Sequence, residues 1–141
     1  MARYFWDTNH YIYLFEDDPI FQPAVMRLRQ RMLLHRDDLL TSAMTLGEIQ
    51  VKGLKNEQPQ LAATFRQRVL ATSQIVNFDA ATADAFAYIR SATKIKGADA
   101  IQLACAMTAG VDFFITNDLQ LQKLRLPGIG QITSAQLMPP L

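Results

Sequence analysis

Residues 96–118 read KGADAIQLACAMTAGVDFFITND, and this stretch decides the fold class. From Ala98 to Ala109 nearly every residue is apolar, on all sides of a helix rather than along one stripe, which places that helix in the interior. Asp99 falls in its first turn. Gly110 is a natural C-terminal stop. Val111 to Ile115 then reads as a short apolar run suited to a strand buried on both faces, which favours a parallel sheet. Thr116, Asn117 and Asp118 follow where that strand ends, and in open α/β sheets ligands bind outside the carboxyl ends of the strands. Asp99 and Asp118 are therefore candidate site residues.

The start of the chain repeats the pattern. Ala2 to Trp6 is short and aromatic-rich, reads as a strand, and runs directly into Asp7-Thr8-Asn9. In a parallel sheet the two strand ends share one edge, so two acids converge there. Tyr11 to Phe15 reads as a short helix and Glu16-Asp17-Asp18-Pro19 as a solvated connection. Ile20 to Arg36 has Val25, Leu28, Met32 and Leu33 at amphipathic spacing, with Arg27 and Arg31 on a solvated face. Leu39 to Ser42 suits a strand, and Ala43 to Asn56 a helix carrying Glu48. Thr45-Leu46-Gly47-Glu48 matches a T-x-x-E capping box, and taken alone Glu48 is best explained by that cap.

Beyond this, Gln60 to Ala71 reads as a helix with Arg66 and Arg68 outward, and Ile75 to Phe78 as a strand. Asp79 caps a helix from Ala80 to Thr93, with Asp84 on its wet face. Arg90, Lys94 and Lys96 concentrate positive charge just before Asp99, as surface residues or as flanks of an anion site. Leu119 to Leu124 is a helical turn, Ile129 to Thr133 an edge strand, and Pro139-Pro140 is expected to end the structure. Helices between strands point to one α/β layer domain over 1–141, a parallel sheet flanked by helices with the acids at the carboxyl ends of its strands.

A chain of 141 residues, half of them hydrophobic, can bury a core without disulfides or a structural metal. With 14 Lys+Arg against 13 Asp+Glu, no whole-molecule field marks a nucleic-acid binder, so such affinity must come from a local patch. The single cysteine, Cys105, excludes an intrachain disulfide and suits a reducing compartment. No signal peptide or membrane-spanning run is evident, and the cytoplasm is the expected location.

Four carboxylates stand out: Asp7, Glu48, Asp99 and Asp118. Asp7 and Asp118 could simply cap the turns after their strands, and Asp99 could favour the positive end of its helix. Brought together, ionised carboxylates repel unless a cation neutralises them. Hard oxygen ligands select Mg²⁺ or Mn²⁺, whereas sulfur and imidazole are scarce: Cys105, and His10 and His35 far apart in sequence. No serine–histidine pairing is signalled, and no glycine-rich phosphate loop is present. A metal-bound acidic cluster on an α/β edge leaves phosphoester hydrolysis as the leading reaction.

Asp7-Thr8-Asn9 after the first strand, Thr45-Leu46-Gly47-Glu48 in an early helix, Ala98-Asp99-Ala100 with Leu103-Ala104-Cys105-Ala106, and Phe114-Ile115-Thr116-Asn117-Asp118 carry a resemblance over the whole length. In their order and spacing the chain resembles the PIN-domain nucleases, and among them the compact VapC-type toxins of toxin–antitoxin systems. The resemblance implies a PIN-like fold with metal-binding acids at Asp7, Glu48, Asp99 and Asp118, supported by Asn9 and Thr116. It also implies an endoribonuclease in which Mg²⁺ or Mn²⁺ activates a water, with a cognate antitoxin and a homodimeric state. Arg90, Lys94 and Lys96 are the candidates for holding RNA backbone. Gly97-Ala98 departs from the family, where many relatives carry a proline. The competing readings are a PIN-like binding module without activity and an acidic-site phosphatase, the latter lacking a second Asp in Asp7-Thr8-Asn9.

Overall fold

The first strand, β1 (Arg3–Trp6), is buried on both faces, with Tyr4, Phe5 and Trp6 at 1% exposure or less. Successive side chains of a strand point to opposite faces, so Phe5 enters one core and Tyr4 and Trp6 the other. The computed structural model describes residues 1–138; Pro139-Pro140 lies outside the described residues. Among these, β1 is followed by α1 (Thr8–Phe15), α2 (Gln22–His35), β2 (Asp38–Ser42), α3 (Ala43–Lys55), α4 (Pro59–Thr72) and β3 (Gln74–Val76). Then come α5 (Ala80–Ala92), α6 (Gly97–Ala109), β4 (Val111–Ile115), α7 (Leu119–Gln122), β5 (Ile129–Thr133) and a closing 3-10 turn, Ala135–Leu137.

The strands form one sheet in the order β3-β2-β1-β4-β5, with every pairing parallel. β1 sits centrally, pairing β4 with Trp6 opposite Ile115. Tyr4 stacks on Phe113 at 4.9 Å between ring centroids and Phe5 on Phe114 at 5.3 Å, one pair on each face. Such a pair contributes about 0.5–1.5 kcal/mol beyond the area it buries. Helix α6 seals one face: Ala100 and Gln102 through Ala106 are all buried, as expected of a helix apolar all round. Helices α1 to α4 cover the other, where Tyr11, Val25, Leu28, Met32, Ile49 and Val69 meet Trp6 and Ile115.

Three expectations need correction. Val111–Ile115 is a strand but not apolar throughout: Asp112 is exposed and accepts the Arg3 backbone N–H at 2.7 Å. The Arg3 guanidinium then donates to the Gly110 and Ala109 carbonyls, fastening β1 to the end of α6. Leu33 is 60% exposed, because it lies about 100° round the helix from buried Met32. Phe78 is outside β3, which ends at Val76. Arg68 points outward as expected, its guanidinium lying 4.0 Å over the Phe15 ring. Asp79 caps α5 as expected, accepting the Thr82 backbone N–H and hydroxyl, each at 2.9 Å. No described helix is long and apolar enough to cross a membrane.

Candidate active site

Asp7 follows β1 directly and caps α1, its Oδ1 accepting the His10 backbone N–H at 3.3 Å. A carboxylate is favoured at this helix start, where unpaired N–H groups and the positive end of the helix meet it. His10 is fully buried and sets its Nδ1 2.8 Å from the same oxygen, so Asp7 is held from two sides. The His10 Nε2 has no partner among the described residues. Asp118 repeats the arrangement after β4: it caps α7, accepting from the backbone N–H of Gln120 at 2.8 Å and Leu121 at 3.4 Å. Thr116 steadies this loop, its hydroxyl accepting from the Asp118 N–H and its carbonyl from Gln122. Because β1 and β4 are neighbours in parallel register, both acids emerge at the same edge of the sheet.

Glu48 is not part of a capping box. Helix α3 is capped at Ser42, which makes Thr45 an interior residue whose buried hydroxyl faces the core. Glu48 instead accepts the Thr8 hydroxyl at 2.6 Å. Beneath it, Gln102 of α6 donates from Nε2 to Thr45 at 2.9 Å and Thr8 at 3.2 Å, while its Oε1 accepts from Ser42 at 2.5 Å. Residues from α1, β2, α3 and α6 are thus tied into one buried polar block under the carboxylates. Sequence reasoning missed Thr8, Ser42 and Gln102 as parts of this arrangement. The available signal was Gln102 itself, a polar side chain inside an otherwise apolar helical run.

Asp7, Thr8, Asn9, Glu48, Ala98, Asp99 and Gln102 line an open cleft of about 70 Å³. Asp118 stands outside the lining but is felt there. The Asp99 carboxyl is raised above its ordinary range, first by lost hydration and then by the charges of Asp118, Asp7 and Glu48 in that order. Asp99 is exposed at the surface even so. Arg90 ends α5, Lys94 lies in the connection to α6 and Lys96 caps α6; all three are exposed, and none lines the cleft. His35 is exposed in the last turn of α2, in a separate part of the chain.

Among the described residues, no three His, Cys, Asp or Glu side chains stand close enough together to grip an ion as placed. Each acid except Asp99 is drawn to a nearby donor instead: Asp7 to His10, Glu48 to Thr8 and Asp118 to the start of α7. The donor set still fits a hard divalent cation, since it is all oxygen and strongly negative. Mg²⁺ characteristically keeps several waters and takes only one or two carboxylates. Sulfur is absent from the cleft: Cys105 is buried in α6, its thiol pushed up to about 11 by burial.

No curated protein matches the sequence. Among solved structures, a chain of the Rickettsia felis VapBC2 complex, bound to a promoter DNA fragment, is similar with TM-score 0.73 at 18% identity, covering 94% of this chain and 97% of that one. A chain of DNA-bound VapBC from Salmonella typhimurium gives 0.71 at 22% identity, with 96% and 99% covered. A toxin–antitoxin complex from Klebsiella pneumoniae gives 0.62 at 26% identity, with 89% and 93% covered. The sequence also matches the PIN domain family over residues 4–126, a span that includes all of β1 but Arg3, the whole of β4 and all four carboxylates, and the chain belongs to that family.

Proposed function

We propose that the protein is a divalent-metal-dependent endoribonuclease and the toxin of a toxin–antitoxin pair. The observation that carries this reading is the single cleft lined by Asp7, Glu48 and Asp99, from three separate elements, at the carboxyl edge of a parallel sheet. A cation there would be held by Asp7, Asp99 and Asp118, with Glu48 reaching it directly or through water. When bound, such an ion makes a coordinated water more acidic and offsets phosphate charge. The protein's own part is positioning. His10 fixes Asp7, while Thr8 and Gln102 aim Glu48 so that its free oxygen can accept a proton from an attacking water. Arg90, Lys94 and Lys96 form no ion pair among the described residues and are free to hold flanking backbone.

Hydrolysis by water on phosphorus leaves a 5′-phosphate and a 3′-hydroxyl, whereas attack by the neighbouring 2′-hydroxyl leaves a 2′,3′-cyclic phosphate. End-group analysis of RNA cut by purified protein, with Mg²⁺ or Mn²⁺ and with chelator, separates the two. Cutting that persists in chelator, or in both Asp7→Asn and Asp99→Asn, removes the proposed mechanism. No cutting under any condition favours a binding module without activity.

The antitoxin proposal is supported by the neighbours, which are toxin–antitoxin complexes, and by a recess of about 230 Å³ between β1, α1, α2 and α4. Trp6, Tyr11, Leu14 and Phe15 line it, with Arg29 and Arg68 among its walls. These two arginines, rather than Arg27 and Arg31, suit a partner segment combining apolar and acidic side chains. The cytoplasm, where RNA and such a partner would meet it, is the proposed place of action.

A further inference from the structure

A second opening lies across the sheet from that recess. Ser42, Ala43, Met44, Val76, Phe78, Ile101 and Cys105 line a groove of about 270 Å³ at the carboxyl ends of β2 and β3. Its walls Val76 and Cys105 belong to the core on the α5–α6 face, whereas the recess walls Trp6, Tyr11 and Leu39 belong to the opposite core. We infer that the groove seats one nucleobase of single-stranded RNA, beside the phosphate presented to the acids, with Phe78 as the stacking platform.

The inference rests on the nuclease reading and names how that site holds its substrate. The groove lies next to the acidic cleft along α6: Ile101 and Cys105 line the groove, while Ala98 and Gln102, three residues before each, line the cleft. Residues three apart on a helix are neighbours on its surface. Ser42, on the groove wall, donates to Gln102, on the cleft wall, so one buried hydrogen bond stands between the two openings. Phe78 is 47% exposed, unusual for a phenylalanine, and its ring is braced edge-on by Phe86 at 6.0 Å and 70°. Braced and half-exposed, it is a ready-made face for a flat ring.

The groove's size is below the roughly 300 to 1,000 Å³ of a site for a drug-sized ligand, which suits one ring system rather than a duplex. Its walls are almost wholly apolar, so it binds the face of a base and reads little of its edge. Stacking of that kind tolerates sequence because every base has a π-face. Cations for a strand's phosphates lie in Lys94 and Lys96, just ahead of Asp99, and farther off in Arg90, at the end of α5 opposite Phe78. A protein segment would have to cover these cations with acids, whereas an RNA strand supplies phosphates at each nucleotide.

The test uses single-stranded RNA oligonucleotides of mixed sequence carrying 5-iodouridine, irradiated with the full chain in chelator so that no cutting occurs, followed by peptide mapping. A cross-link on Phe78 is expected, lost in Phe78→Leu and kept in Phe78→Trp. RNA affinity and cutting by Phe78→Leu should fall by on the order of ten-fold, with Phe78→Trp near wild type. Circular dichroism of both variants separates this from misfolding. The inference is overturned if RNA is bound and cut but cross-links map elsewhere, or if Phe78→Leu behaves as wild type. It is also overturned if Phe78→Leu changes only the oligomeric state, which would assign the groove to a second copy of the chain. A Phe78 cross-link in a protein that never cuts RNA sustains the groove and removes the nuclease reading. Absence of any RNA binding removes both.

Discussion

A carboxylate pressed by three others gains when its charge is removed, and Asp99 is in that position. Its folded carboxyl is raised above the ordinary value, so the folded state disfavours the ionised form, and stability present at low pH is lost as pH rises through the folded value. Asp99→Asn should therefore melt at a higher temperature than wild type at neutral pH in chelator, by less than about 1 kcal/mol because the side chain is exposed. The same variant should lose cleavage by on the order of 100-fold or more. A variant less stable than wild type in chelator would show that Asp99 serves the fold. Gln102→Leu should behave in the opposite way, leaving Thr8, Thr45 and Ser42 short of partners and costing about 1–3 kcal/mol in urea unfolding. At this scale the sequence was half legible. Asp7 and Asp118 could be placed because an acid directly after an apolar strand is a local signal. The setting of Glu48 could not, because its partner Thr8 comes from another helix, and a T-x-x-E pattern does not say whether its threonine starts a helix or lies inside one.

Elements are held by features of two kinds, electrostatic caps and close backbone approach. Asp79 caps α5, and its carboxyl is held below the ordinary range by the backbone N–H and then the hydroxyl of Thr82. A depressed folded value means the stabilisation is present above the unfolded value and lost as pH falls through the folded one. Asp79→Ala should thus lower the melting temperature at neutral pH, with the gap to wild type closing in strong acid; a gap that persists there would assign the effect to something other than the charge. At the other side of the sheet, a Cβ on Gly130 would stand 2.6 Å from the Asp112 carbonyl of β4. Gly130→Ala should therefore cost about 1–3 kcal/mol by pushing the edge strand off its neighbour, seen as a lower midpoint in denaturant. The helices and strands were readable in type, but not the closing 3-10 turn Ala135–Leu137, and β4 was read from an apolar run that Asp112 interrupts. Faces were less so: Leu33 fits the apolar spacing of α2 but sits one step round from the buried stripe, and only the packed structure shows where the stripe ends.

On the scale of the whole molecule, the recess and the groove lie on opposite faces of the sheet, with the acidic cleft at its carboxyl edge. Exposed apolar side chains on the early helices, among them Met26 and Leu34, favour association, and light scattering at high concentration is expected to give a homodimer. A strict monomer would remove the dimer and leave the nuclease proposal standing. Trp6 gives a direct way to follow such events. It is the only tryptophan in the chain, it is fully buried, and it lines the recess on the α1, α2 and α4 side while its ring lies 6.1 Å from that of His10. The protein therefore carries its one tryptophan at the place where an antitoxin is proposed to dock. Its emission should shift when the recess is filled, without any added label, and should stay unchanged when a base enters the groove behind the sheet.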